Sequence, residues 1–589
     1  MRILKNSIQV INPEKLWSGS QRPWQRYLEV SLWTTGALLG FFHTWANRHY
    51  LTNADAMSYL DIAEAYLRGD WSKAVNSYWS PLYSWVIAGG LLLIKPSPYW
   101  KFSVLHLINF FIYIFTFGCF GFFIRELIRF HRNRTGEELG QSKFVTFPDW
   151  GWLGLGYSIF IWSTLYLIKV SLESPDLLLA GFVYLSSGIL LLIHRRKESW
   201  FPFVFLGTSL GLGYLTKTVM LPLSLAFLAA AALSVQGIRK SLPRITLTLG
   251  TMLLVISPFV SAISLAKGRL TFGDSGRLNY LWAIEGIPPR HWQGQDDSNG
   301  RPRHRTQKLL DVPPVYKFAD NVGGTYPLAY DPSYWYEGAV SHFDLKRQLK
   351  VLIQSLQPLY DLYLEWGVQN SLMVCYVFLI IMRRRRSGIF KDLWSVFPIA
   401  LPALGGLGIY SLINVQGRYL APFIVLGWLA LFSGLRLSQS KEAQRVLASV
   451  AIALIATIMS SVVISSFGEV RAAAKDLIAG EDVTTHDQWL VAEGLKQMGV
   501  ENGAPVAVIG DSYRAFWAHL AGLQIIAEIP GEHSMGFWAL DGPAQKRAIQ
   551  AFAQTGAKVI VADPQPQAFF DPVVWQKIGN TGYHASVLR

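Results

Sequence analysis

Residues 102–134 read Phe102-Ser-Val-Leu-His-Leu-Ile-Asn-Phe-Phe-Ile-Tyr-Ile-Phe-Thr-Phe-Gly-Cys-Phe-Gly-Phe-Phe-Ile-Arg125-Glu-Leu-Ile-Arg-Phe-His-Arg-Asn-Arg134. From Phe102 to Ile124 there is no Asp, Glu, Lys or Arg, and a helix of that length spans the roughly 30 Å hydrocarbon core of a bilayer. Arginines close the run at once, as they do on the cytoplasmic flank of a membrane span. This stretch decides the fold class, and the rest of the chain repeats its pattern.

Apolar runs of about 17 to 24 residues also begin near Trp152, Leu177, Phe201, Val219, Ile245, Ser371, Trp394, Leu420 and Val446. An earlier run from about Val30 to Trp45 follows a polar, basic N-terminal arm without a small-residue cleavage site, and reads as an uncleaved first span. The total is about eleven spans. Composition agrees: of 589 residues 51% are hydrophobic and 16% charged, against about 25% charged in a soluble domain. The 53 Lys and Arg exceed the 39 Asp and Glu to give a net charge of +14, but the cations flank apolar runs and form no single stripe. That placement argues for a membrane protein and against a nucleic-acid partner. Aromatics at 14% exclude a disordered chain, and Cys119 and Cys375, both inside apolar runs, exclude a disulfide scaffold.

The run Pro81–Ile94 is too short for a span and carries Gly89 and Gly90, which suits an interfacial or re-entrant helix. If it does not cross, the clusters Arg125–Arg134, His194–Lys197, Arg239-Lys240 with Arg244, Arg383–Arg386, and Arg436 with Lys441 and Arg445 all fall on the side of the basic N-terminal arm. That side is then cytoplasmic. The expected fold is an all-α polytopic membrane protein with juxtamembrane helices in the first external loop, plus a small C-terminal α/β domain. Residues 1–28 form a cytoplasmic arm and 29–467 the transmembrane domain, with external loops 47–101, 169–176 and 267–350. Residues 468–589 form an external, periplasmic domain. Within it Gln488–Met498 and Pro543–Gln554 read as helices, and Pro505–Ile509, Leu523–Ile529 and Ala557–Ala562 as strands. The expected location is the inner or plasma membrane.

Charges are scarce near the outer face, so each one is a candidate. Asp55, in Asn53-Ala-Asp55-Ala-Met-Ser-Tyr59, opens an amphipathic helix with Met57, Leu60, Ala63 and Leu67 on one face and Asp61, Glu64 and Arg68 on the other, expected to lie on the membrane surface. Asp55 is either an N-cap or a carboxylate held at the membrane boundary for chemistry. In Lys169-Val-Ser-Leu-Glu173-Ser174-Pro175-Asp176 a helix start is written with Ser174 as N-cap and Asp176 in the first turn, and Asp176 has the same two readings. Lys169, Lys217 and Arg418 are cations on the outer side, where snorkelling competes with binding of a lipid phosphate or pyrophosphate. Transfer of a sugar from a phospholipid carrier needs little more: phosphate leaves readily, cations stabilise its charge, and one carboxylate deprotonates the acceptor.

Asn53-Ala-Asp55 before a juxtamembrane helix, Pro81-Leu-Tyr-Ser-Trp85, Ser174-Pro175-Asp176 opening a span, Thr216-Lys217, and Arg418-Tyr419-Leu-Ala-Pro422 together resemble the glycosyltransferase C superfamily. The likeness is to its branch of protein O-mannosyltransferases, aminoarabinose transferases and related enzymes that use polyprenyl-phosphate sugars. The resemblance covers residues 25–265 and, less fully, 395–435. It implies that Asp55 is the catalytic carboxylate and Asp176 the second one. The family often has an Asp-Glu pair where this chain has Asp55-Ala56, so a metal-binding role for the pair is in doubt and a divalent cation stays open as a cofactor.

The expected activity is an inverting transfer of a hexose or pentose from a polyprenyl-phosphate donor to a protein, lipid or glycan acceptor at the external face. Asp55 is the general base, Lys217, Arg418 and Lys169 bind the donor phosphate, and Tyr59, Glu173, Tyr419 and Trp335 are candidate acceptor or sugar contacts. His291, His304 and His342 lack metal-site spacing, so no metal ligands are assigned. The aromatic loop 267–350 is a candidate lid. Two competing readings are a lipid or solute transporter with an external binding domain, and a receptor whose C-terminal domain binds the ligand. Charge in mid-span and internal repeats, the marks of a transporter, are not evident.

Overall fold

A computed structural model describes residues 23–135, 144–235, 237–294, 302, 304–320, 322–364, 367–383, 392, 394–480, 486–566 and 569–588. Most of the basic N-terminal arm and Arg384–Arg386 lie outside these residues. A helix stands at each place where an apolar run is expected to cross. Six of them, Pro98–Arg134, Asp149–Ile168, Asp176–Arg195, Ile238–Lys267, Gly417–Gly434 and Lys441–Ser465, have the length and apolar composition to span a membrane. The pair Leu345–Tyr363 and Val368–Ile381, bent by 86°, would make a seventh if counted together. Phe201–Thr216, Met220–Ser234 and Phe397–Ser411 have 16, 15 and 15 residues, short of the roughly 20 that a bilayer requires. The chain is therefore a multi-pass membrane protein by its helices, with six such spans, or seven with the bent pair, among the described residues.

The bundle is held by aromatic packing. Phe120 lies 4.6 Å from Phe160 and 5.1 Å from Tyr184, and Phe117 lies 4.8 Å from Phe160, all four rings being buried. Each such pair contributes about 0.5–1.5 kcal/mol beyond its burial. Elsewhere small residues let helices approach. A Cβ added to Gly207 would sit 2.4 Å from the backbone oxygen of Thr248, joining Phe201–Thr216 to Ile238–Lys267 at backbone contact. Backbone cannot swing aside, so Gly207→Ala is expected to destabilise the protein by about 1–3 kcal/mol, read as a lowered melting temperature in detergent.

The second layer is a seven-stranded sheet in the order Gln307–Asp311, Pro314–Lys317, Gln524–Pro530, Pro505–Gly510, Val559–Ala562, His584–Val587, Gln576–Lys577. The three strands centred on Pro505–Gly510 are parallel and the outer pairings antiparallel. Strands and helices occur where the C-terminal hydropathy pattern places them. The first two strands, however, come from the loop 267–350, so part of this loop belongs to the sheet.

The helix Ala56–Leu67 also differs from expectation. Only part of its polar face looks into water: Arg68 is exposed, but Asp61 is buried and accepts from Thr325 N at 2.7 Å, Thr325 Oγ1 at 2.9 Å and His519 Nδ1 at 2.8 Å. Glu64 accepts from Lys101 Nζ at 2.7 Å and keeps its i,i+4 partner Arg68 at 3.5 Å. The long loop and the C-terminal residues thus cover part of the side of the helix that its charges would otherwise expose.

Candidate active site at one end of the helix bundle

Chain reversals bring several helix ends to one face. Asp176–Arg195, Met220–Ser234 and Gly417–Gly434 begin there, and Phe201–Thr216 and Phe397–Ser411 end there. Between them lies a cavity of about 350 Å³ whose wall includes Asp55, Tyr59, Asp176, Lys217, Arg418 and Tyr419. Six of the nine candidate residues therefore meet in one place, although they are up to 364 positions apart in sequence.

Asp55 does not act as a helix cap. It has helical backbone angles, φ −66° and ψ −19°, and its side chain accepts no capping bond from the helix Ala56–Leu67. Its N–H is held by Asn53 Oδ1 at 3.3 Å. Burial raises the Asp55 carboxyl above the ordinary carboxylate value; Arg418 and Lys217 pull it down, and Asp176 pushes it up. A carboxyl shifted upward is a stronger base once ionised.

Asp176 is almost fully buried and is the counter-ion of the site. Lys217 Nζ donates to Oδ1 at 2.6 Å, and Arg418 Nε lies 3.6 Å from Oδ2. Ser174 is not the N-cap: its hydroxyl donates to Asp176 Oδ2 at 3.0 Å, and the helix starts after Pro175. Tyr419 lies beneath both cations, with its ring centre 3.8 Å from Lys217 Nζ and 4.8 Å from the Arg418 guanidinium carbon. Its hydroxyl accepts from Arg418 Nη2 at 2.9 Å, and Gln416 Oε1 accepts from Nε at 3.0 Å. Burial lowers the Lys217 ammonium, but Asp176, Tyr410 and Tyr419 together raise it above its ordinary value. Both cations stay charged and are fixed in direction, as an anion site requires.

Three candidates do not line the cavity. Lys169 is exposed, at a left-handed φ of 64° on the turn before Leu172. Trp335 is buried and donates to Pro327 O at 3.0 Å. Glu173 is fully enclosed behind the loop that carries Asp55, accepting from Thr52 N at 3.1 Å and Asn53 N at 3.0 Å.

Sequence reading missed other wall residues: Tyr78, Trp79, Asn279, Tyr410 and Asn414, and the segment Phe272–Gly276. That segment is tied to the first long loop by Asp274, whose N–H donates to Ser77 O at 2.7 Å and whose Oδ2 accepts from Ser77 Oγ at 2.7 Å. Gly273 has φ 109°, and a Cβ there would meet Thr218 Cγ2 at 3.0 Å and Ser77 O at 3.2 Å. The run Gly273-Asp274-Ser275-Gly276 was the available signal, a turn with unusual backbone demands.

Among the described residues no three His, Cys, Asp or Glu side chains converge to hold a metal ion. The donor set does not suit one either. Asp176 is already engaged by Lys217, Arg418 and Ser174, and Ala56 supplies no second carboxylate beside Asp55. His291 instead contacts Glu528 Oε1 at 2.7 Å and stacks on Tyr316, and His304 stacks on Tyr334.

No family model matches the sequence, and no curated protein matches it. Solved structures do. ArnT from Cupriavidus metallidurans, crystallised bound to undecaprenyl phosphate, superposes with a TM-score of 0.51 at 14% identity, covering 95% of this chain and 98% of its own. The oligosaccharyltransferase AglB from Archaeoglobus fulgidus, in complex with an inhibitory peptide and a dolichol-phosphate, gives 0.47 at 12% identity over 92% of this chain and 70% of its own. This chain shares the fold of ArnT over nearly its whole length.

Proposed function

We propose that the protein transfers a sugar from a polyprenyl-phosphate carrier to a protein, lipid or glycan acceptor at the external face of the membrane, with inversion at the anomeric carbon. The observation that carries this reading is the single cavity in which Asp55, raised by burial, faces two cations held by Asp176. The fold shared with a protein that binds undecaprenyl phosphate supports a lipid-phosphate donor.

In this mechanism Lys217 and Arg418 hold the donor phosphate and stabilise the charge that develops as the glycosyl–oxygen bond breaks. Asp176 fixes their direction without neutralising the pair. Asp55 takes the proton from the acceptor hydroxyl or amine as it attacks the face of the sugar opposite the phosphate. Tyr59 offers aromatic surface to the sugar, and Tyr419, stacked between Tyr410 and Lys217, supports the cations. Residues 29–467 form the transferase domain. Residues 468–589, together with the strands from 307–317, close over the first loop on the external side, and the N-terminal arm is cytoplasmic.

The test is incubation of the purified protein with a panel of labelled polyprenyl-phosphate sugars, scored by release of free lipid phosphate. Release from at least one donor, dependent on an added acceptor, is the expected result. Binding and transport of intact carrier without release would refute the reading.

A further inference from the structure

The carboxylate of Glu173 is fully buried and is not used by the mechanism above. Its Oε2 accepts from Thr52 N at 3.1 Å, Asn53 N at 3.0 Å and Thr52 Oγ1 at 3.4 Å. Its backbone oxygen accepts from Asn53 Nδ2 at 2.7 Å, and the oxygen of that same amide accepts from Asp55 N. The next residue, Ser174, donates to Asp176. One dipeptide thus touches the supports of both cavity carboxylates.

We propose that Glu173 is a positioning residue whose ionised carboxylate clamps the backbone at Thr52 and Asn53 and so sets Asp55 opposite Lys217 and Arg418. This rests on the transferase reading. The clamp depends on charge. Oε1 lies 3.2 Å from His106 Nε2, which also contacts the carbonyl oxygen of Tyr50 at 2.9 Å. A carbonyl only accepts, so Nε2 carries the hydrogen and gives it to Tyr50, leaving Oε1 close by without a hydrogen-bond donor. A proton on Oε1 would face the Nε2 donor at 3.2 Å with no acceptor beside it, and so would loosen the clamp on Thr52 and Asn53.

The groups facing Glu173 do not supply a compensating cation. Besides His106 they are Tyr83, whose hydroxyl donates to Asn109 Oδ1 at 2.8 Å, and Asn109, whose amide donates to Leu172 O at 3.1 Å. Asp176 is engaged by Lys217 and Arg418. Burial pushes the Glu173 carboxyl up to about 7, against the pull of the two backbone amides. Because this value lies above the ordinary one, the fold favours the protonated form, and its contribution to stability is lost as pH rises through about 7. The ionised clamp is held at a cost in stability, which separates positioning from mere support of the fold.

Glu173→Gln tests this. A glutamine oxygen still accepts from both amides, but it lacks the charge and does not titrate. At pH 8 the variant is expected to melt no lower than the wild type. Its kcat should fall about 10- to 100-fold, the cost of a displaced catalytic group, with KM for the donor unchanged and the acid limb of the rate profile moved to lower pH. Amide exchange over residues 50–55, corrected for intrinsic rates, should lose protection in the wild type below about pH 7 and show no such step in the variant. Wild-type kcat and an unmoved acid limb in Glu173→Gln would overturn the proposal, as would absence of the exchange step in the wild type. A wild type that shows the step but transfers no sugar would refute the transferase reading alone.

Discussion

Asp55→Asn is expected to reduce sugar transfer about 10²- to 10⁴-fold, the range supplied by a positioned general base, while the protein stays folded. The amide keeps the size of the carboxylate and cannot take the acceptor proton. Stability should not fall. Burial raises the folded-state value of Asp55 above its ordinary one, so at neutral pH the ionised side chain opposes folding and a neutral amide relieves that cost. Release of lipid phosphate at saturating donor, with a melting curve alongside, checks both statements. Undiminished turnover by this variant would remove Asp55 from the chemistry.

The roles of Asp55 and Asp176 show what the sequence could and could not tell. Both residues stand where a helix begins, and N-terminal helix statistics alone give them a capping explanation. The distinction is tertiary: Asp55 makes no capping bond, and Asp176 takes Lys217 and Arg418 from helix ends 41 and 242 residues away. Hydropathy finds the helices because a bilayer-spanning segment announces itself within about 20 residues. It does not find their exact lengths, as the 15-residue helix Phe397–Ser411 shows.

Long-range pairing was equally hidden. The strands Gln307–Asp311 and Pro314–Lys317 are short and mix Lys, Gln and Pro with apolar residues, so nothing local marks Pro314–Lys317 as the partner of Gln524–Pro530. The burial of Asp61, on the polar face of Ala56–Leu67, is hidden for the same reason. Its partners, Thr325 and His519, lie 264 and 458 residues away. Residue type and loop position make Lys169 and Trp335 candidates, and only the fold shows that neither faces the cavity.

Arg418→Ala is expected to cost about 10²- to 10³-fold in kcat, or about 2.7–4 kcal/mol, the usual loss when one fixed donor to a developing anion is removed. The variant should fold, because Asp176 keeps Lys217 at 2.6 Å and Ser174 at 3.0 Å and is not left an unpaired buried charge. Lys217→Ala would take away the shorter of the two contacts, so Arg418 is the cleaner probe. Arg418→Lys should recover only part of the loss: an ammonium carries the charge but cannot reach Tyr419, Gln416 and a phosphate with one planar fork. The pH profile separates this effect from damage to the base. Arg418 holds the Asp55 carboxyl down against burial, so without it that carboxyl rises further and the part of the acid limb governed by Asp55 moves to higher pH. Glu173→Gln should move the limb the opposite way. A rate profile for Arg418→Ala that keeps both the plateau and the limb of the wild type would show that the guanidinium acts on neither the donor phosphate nor Asp55.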